Sequence, residues 1–219
     1  MGLLDAALAD WYKIGILAGL HKAEWAQDKD AIADIHLVHK NIFGDTAAFC
    51  IIDIEIETVD HTQLVGPQCL LVAPCAVRKM WITFRTQKNG DNGEKKLFTR
   101  NLDPSGHCFV SAMYQVLLSF KALVSVWNVS IPLAVYQDLQ SKEVLLLTAR
   151  DIETSIRAIA AITYSLHPRT NQKELMQWSA HSVHVGTCVL LHGSGLLATQ
   201  IKWILRCFYG VSAQLVYVG

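Results

Sequence analysis

Residues 79–88 (KMWITFRTQK) and 94–100 (EKKLFTR) have strand character and flank the segment Asn89-Gly-Asp-Asn-Gly93. Asn, Asp and Gly tolerate the positive φ that a tight reversal demands, so the two runs are expected to fold back as an antiparallel β-hairpin. No helix can continue through that turn, which commits the chain to at least one small sheet. Elsewhere the apolar spacing is mostly helical. Residues 3–20 place Leu4, Leu8, Trp11, Ile14 and Leu17 on one face, and residues 108–127 do the same with Phe109, Met113, Val116, Leu117 and Phe120. Thr148-Ala-Arg-Asp151 reads as a capping box opening a helix to about residue 165. Helices near 174–178, 181–193 and 198–207 are expected after the polar loop 167–172. Residues 48–58 alternate in strand fashion, and 132–147 hold two short apolar runs of strand type. The expected class is α+β, mainly helical with a small antiparallel sheet, in a single domain over residues 1–219.

Composition narrows the function classes. A hydrophobic content of 52% against 17% charged residues is enough to build a buried core. Zero net charge and a pI near 7.1 count against a broad basic face, although a local basic patch is compatible with neutrality. The six cysteines (Cys50, Cys69, Cys75, Cys108, Cys188, Cys207) are scattered, without a CxxC pair. With no secretory signal visible, they read as reduced thiols of a nuclear or cytoplasmic protein. The apolar run 183–205 is interrupted by His184, His192, Gln200 and Lys202, so no membrane span is expected.

Five short segments could carry chemistry, in this order along the chain: Gly19-Leu-His21-Lys-Ala-Glu24, the hairpin Arg85-Thr-Gln-Lys88, Trp178-Ser-Ala-His181-Ser-Val-His184, Arg206-Cys207 and Tyr217. This ordered set resembles the tyrosine recombinases of the phage-integrase type. The wording of residues 166–181 is similar to integrase-like sequences of algal, diatom-type mobile elements. The resemblance implies the DNA breaking-rejoining catalytic fold, with Tyr217 as the nucleophile forming a phosphotyrosine intermediate. Lys88 would be the general acid, His181 a proton-transfer or phosphate donor, and His21 and His184 the phosphate clamps. Tyr209 is an alternative nucleophile, and Lys95 and Lys96 are rivals of Lys88. The implied partner is double-stranded DNA, with a homo-oligomer assembling on it. No membrane, small-molecule substrate, cofactor or metal is implied. The family's N-terminal DNA-binding arm is expected to be absent, since the chain begins in the helix before the first box.

The chain departs from the family where it matters for catalysis. His21 and His184 stand where the family carries arginine. Arginine is permanently charged and offers a fork of donors matching two phosphate oxygens, whereas imidazole is mostly neutral at pH 7 and shorter. Loss of one preorganised donor to developing charge costs roughly 10²–10³ in rate, and loss of both clamps about 10⁴ or more. The expectation is therefore a weak or inactive recombinase. The alternatives are a non-catalytic DNA- or protein-association module and a decaying mobile-element fragment.

Other readings of single residues are plainer. His184, Cys188 and His192 share a helix face and would allow a zinc site with His181, but no fourth ligand is evident. Asp53, Glu55 and Glu57 read as the wet face of an edge strand, and the six tryptophans read first as core.

Overall fold

The computed structural model describes residues 3–26, 48–85, 93–101, 108–124 and 131–205. They form an α+β arrangement of helices around a small antiparallel sheet, as the periodicities predict. Helix α1 (Leu3–Ala18) buries Leu8, Trp11, Ile14 and Ala18 and ends at Gly19, whose φ is +63°. The Leu20 N–H reaches back to the Gly15 carbonyl at 3.1 Å, closing the helix with a left-handed glycine cap. A short helical turn α2 (Lys22–Trp25) follows and stacks Trp25 on Trp11, with ring centroids 5.6 Å apart.

Four strands, β1 (Ile54–Thr58), β2 (Gln63–Val65), β3 (Val77–Phe84) and β4 (Glu94–Thr99), lie in the order β2-β1-β3-β4, all neighbours antiparallel. The hairpin β3–β4 pairs Met80 with Phe98 and Phe84 with Glu94; residues 86–92 of its turn, Lys88 among them, lie outside the described residues. Side chains alternate across the sheet with period two. Ile54, Ile56, Met80, Ile82 and Phe84 enter the core, while Glu55, Trp81 and Leu97 share the opposite face.

Helix α3 (Phe109–Leu123) covers the inner face with Met113, Leu117 and Phe120, each fully buried. A two-stranded ladder, β5 (Val135–Gln137) with β6 (Val144–Leu146), leads into helix α4 (Ala149–Thr163). The capping box that opens α4 is formed. Thr148 Oγ1 accepts from the Asp151 N–H at 3.2 Å, and Asp151 Oδ2 accepts from the Thr148 N–H at 2.8 Å. Tyr12 of α1 donates its hydroxyl to the Ile152 carbonyl at 3.1 Å, tying the first helix to α4. The turn α5 (Gln172–Leu175) and helices α6 (His181–Gly193) and α7 (Ala198–Ile204) complete the described chain.

Two expectations need correction. The strand begins later than the alternation of residues 48–58 suggests, because Ile51–Asp53 form a 3-10 turn. The acidic residues there are not a wet edge, since β1 lies between β2 and β3. Asp53 is 4% exposed and receives Arg85 Nε at 2.6 Å; Glu57 is 7% exposed and receives Lys79 Nζ at 3.2 Å. A carboxylate can be buried in this way when it is both paired and hydrogen-bonded. The tryptophans divide similarly. Trp11 and Trp25 are core, whereas Trp81 is half-buried on the outer sheet face and Trp178 is half-buried in a stack with Tyr164.

Candidate functional site

The left-handed cap at Gly19 turns the chain so that His21 leaves the end of α1 and enters α2. There the His21 N–H donates to Glu24 Oε2 at 2.7 Å, and the Glu24 N–H donates to the His21 carbonyl at 3.0 Å. Glu24 is 3% exposed, so this reciprocal pair fixes the backbone of His21 from inside the protein. From the other end of the sequence, α6 approaches α1 where α1 has no side chain. A β-carbon on Gly15 would lie 3.3 Å from Val183 Cγ1. That close approach sets His184, the next residue, against His21.

The result is a row of three imidazoles. The His21 and His184 rings stack with centroids 4.4 Å apart at 26°, and His181 lies 5.9 Å from His184 at 24°. Their exposure differs. His184 is 5% exposed, His21 is half-buried and His181 is exposed. His181 is also the first residue of α6, and the two backbone N–H groups after it are taken by the preceding turn: Ser182 donates to the Ser179 carbonyl at 2.8 Å and Val183 to the Ala180 carbonyl at 3.3 Å.

The structure thus brings together three of the five residues singled out in the sequence. Lys88 and Tyr217 lie outside the described residues, as do Tyr209, Arg206 and Cys207. The two rival lysines part company. Lys95 pairs with Glu55 on the outer sheet face. Lys96 points to the inner face, where its Nζ donates to the Ile204 carbonyl at the end of α7 at 2.7 Å. Leu205, the next residue, lies over Gly19; a β-carbon there would stand 2.1 Å from Leu205 Cδ2. Lys96 is therefore the rival tied to the end of α7, whose next residue, Leu205, packs at the glycine cap that precedes His21.

Sequence reasoning missed the role of Gly15 and Val183 in forming the row. The available signal was a small residue in an otherwise bulky helix face, which often marks close helix approach. Among the described residues no group of three or more His, Cys, Asp or Glu is arranged to hold a metal ion, so His184, Cys188 and His192 do not form the zinc site their spacing allows. Cys69, buried beneath the sheet, has its thiol pushed up to about 12 by burial, which makes it an inert thiol rather than a nucleophile. Among the described residues no helix is long and apolar enough to cross a membrane. No protein-family model matches the chain, and neither does any curated protein or solved structure.

Proposed function

We propose that the chain is a tyrosine-recombinase-like catalytic domain that engages double-stranded DNA, with strand-transfer activity weakened or lost. The observation that carries this reading is the meeting of His21 and His184, which stack at 4.4 Å although they come from opposite ends of the described chain. Both were singled out as occupying arginine positions of one phosphate clamp, and residues of one clamp must share a site. The exposed His181 beside them supports the same reading, since the ring assigned to proton transfer is the one of the three open to solvent.

A trapping experiment tests it. A nicked duplex that loses a short fragment on cleavage would accumulate a covalent protein–DNA adduct if Tyr217 attacks. An adduct formed by the wild type and absent in Tyr217→Phe is the expected result for residual activity. No adduct, together with no duplex binding at low salt, removes the proposal.

The burial of His184 favours a second reading, a non-catalytic association module. A ring that is 5% exposed cannot lie flat against a substrate phosphate as an arginine fork would. Duplex binding without adduct is the outcome that selects this reading.

A further inference from the structure

The end of helix α4 builds an aromatic stack that belongs neither to the core nor to the histidine row. Tyr164 closes the helix, its N–H donating to the Ala160 carbonyl at 2.9 Å. Ser165 follows with a left-handed φ of +54°, at a position glycine usually fills. The Leu166 N–H then returns to the Ala161 carbonyl at 2.8 Å, so the chain turns sharply and leaves Tyr164 at the surface. Its ring stacks on Trp178, with centroids 5.2 Å apart at 29°. Trp178 is held from inside the protein. It packs against the core, its N–H donates to the Leu175 carbonyl at 3.1 Å, and its carbonyl accepts from Arg157 Nε at 3.2 Å. Tyr164 nevertheless remains 57% exposed. Since one ring face lies on Trp178, the exposure falls on the opposite face and the edges, where one more flat ring can stack.

The charges that follow Tyr164 select the kind of ring. The turn from His167 to Asn171 is fixed by its own hydrogen bonds. Asn171 Oδ1 accepts from the His167 N–H at 3.1 Å and from the Thr170 hydroxyl at 3.0 Å, while the Asn171 N–H donates to the His167 carbonyl at 2.9 Å. Arg169 in this turn and Lys173 just after it are exposed, and neither has a carboxylate partner among the described residues. Glu174 is the only acidic residue from 164 to 181. An open aromatic face beside unneutralised cations suits a flat ring that carries negative charge, which is what each nucleotide of a single strand supplies. A base inside a duplex has both faces covered by its neighbours.

We infer that Tyr164, backed by Trp178, is a stacking platform for an unpaired base of a DNA strand, with Arg169 and Lys173 taking the flanking phosphates. Trp178 lies three residues before His181, so the platform adjoins the start of α6. A strand freed there by a nick or a frayed end is its ligand. The inference rests on the reading of the chain as a DNA-engaging domain, which is what names the strand as DNA.

The test uses the full chain and a short single-stranded oligonucleotide carrying 2-aminopurine, whose fluorescence is quenched by stacking. Removing an aromatic ring that stacks on a base weakens binding roughly 5- to 150-fold. Tyr164→Ala should therefore lose about tenfold in affinity together with the quench, and Tyr164→Phe should keep both. Arg169→Gln combined with Lys173→Gln should lower the slope of log affinity against log salt by about 1.4, about 0.7 for each phosphate contact, and leave the quench at saturation. The inference falls if Tyr164→Ala binds the single strand as tightly as the wild type, or if Tyr164→Phe loses as much as Tyr164→Ala. Ile162, 82% exposed two residues before Tyr164, marks the competing use of this surface. Self-association that Tyr164→Ala abolishes, without single-strand binding, would give the stack to a second copy of the chain and overturn the inference. Duplex binding without single-strand binding overturns the platform and leaves the proposed function standing. Single-strand binding that depends on Tyr164, without duplex binding or adduct, removes the recombinase reading and leaves the platform. Binding of neither overturns both.

Discussion

Gly15 of α1 and Val183 of α6 approach so closely that a β-carbon on Gly15 would stand 3.3 Å from Val183 Cγ1. The histidine row depends on this contact, because Val183 precedes His184 and Gly15 lies one helical turn before the cap that releases His21. Two effects oppose each other at Gly15. Alanine gains about 1 kcal/mol of helix propensity over glycine, while the new methyl must displace Val183 by a few tenths of an ångström. Gly15→Ala is expected to change stability by less than about 1 kcal/mol. Gly15→Leu should cost about 1–3 kcal/mol by overpacking and should separate the His21 and His184 rings. Urea unfolding measures the first effect, and ring-to-ring nuclear Overhauser contacts between the two histidines measure the second. Persistence of those contacts in Gly15→Leu would show that the row does not depend on this approach.

Asp53 and Arg85 form the most deeply set ion pair of the described residues, with Nε 2.6 Å from Oδ1. Burial raises the Asp53 carboxyl above its ordinary range, while the Cys50 N–H and Arg85 pull it back in part. A carboxyl raised in the folded state holds its proton more firmly there than in the unfolded chain. Its contribution to stability is full below the unfolded carboxylate range and is lost as pH rises through the raised folded value. Arg85→Ala should cost about 2–4 kcal/mol at neutral pH, allowing for the partial exposure of the arginine, because it leaves a buried charge. The loss should shrink in acid, once Asp53 is protonated. Adding Asp53→Asn should recover part of the neutral-pH loss in a double-mutant cycle. Additive losses at every pH would mean the two side chains are not coupled.

Glu57 has the opposite sign. Its hydrogen bond from Lys79 holds the carboxyl below its ordinary range, against a smaller opposing effect of burial, with Arg78 and His61 adding to the lowering. A lowered carboxyl contributes stability above the unfolded carboxylate range and loses it as pH falls through the lowered folded value. Glu57→Gln should therefore reduce the denaturant midpoint at neutral pH and leave it unchanged at about pH 2. High salt should narrow the neutral-pH difference, since Arg78 and His61 are open to solvent. A difference that grows in acid would contradict the assignment.

These two carboxylates also mark where sequence reading stops. The hairpin β3–β4, the α4 capping box and helices α1, α3 and α6 were legible because each is encoded locally, by turn chemistry, by a side chain three residues away or by apolar period. Alternation in residues 48–58 was equally visible. It could not reveal the 3-10 turn Ile51–Asp53, because beside the local Cys50 N–H that turn is stabilised by Arg85, which lies just past the end of β3 and 32 residues away in sequence. The charges of Asp53 and Glu57 suggested solvent for the same reason: their partners are distant in sequence. At the candidate site, the residue types of His21, His181 and His184 could be read from the chain. Their exposures could not, since burial of His184 follows from how closely α6 meets Gly15.

That difference in exposure makes the two histidines unequal as positions for arginine. His21 is half-buried, and its backbone is anchored by Glu24, so a longer cationic side chain can extend from it toward solvent. His184 is 5% exposed and lies against the His21 ring, where a guanidinium would be held away from water. His21→Arg is expected to keep stability within about 1 kcal/mol and to tighten duplex binding, with a steeper salt dependence by about one phosphate contact. His184→Arg should cost about 2–4 kcal/mol and give no comparable gain in affinity. Urea unfolding beside duplex titrations at several salt concentrations separates the two effects. An unchanged salt slope in His21→Arg would remove this position from the phosphate site. A stable His184→Arg that binds more tightly than His21→Arg would mean that α6 can rotate its second histidine outward, and that the stacked row is one of two arrangements open to the site.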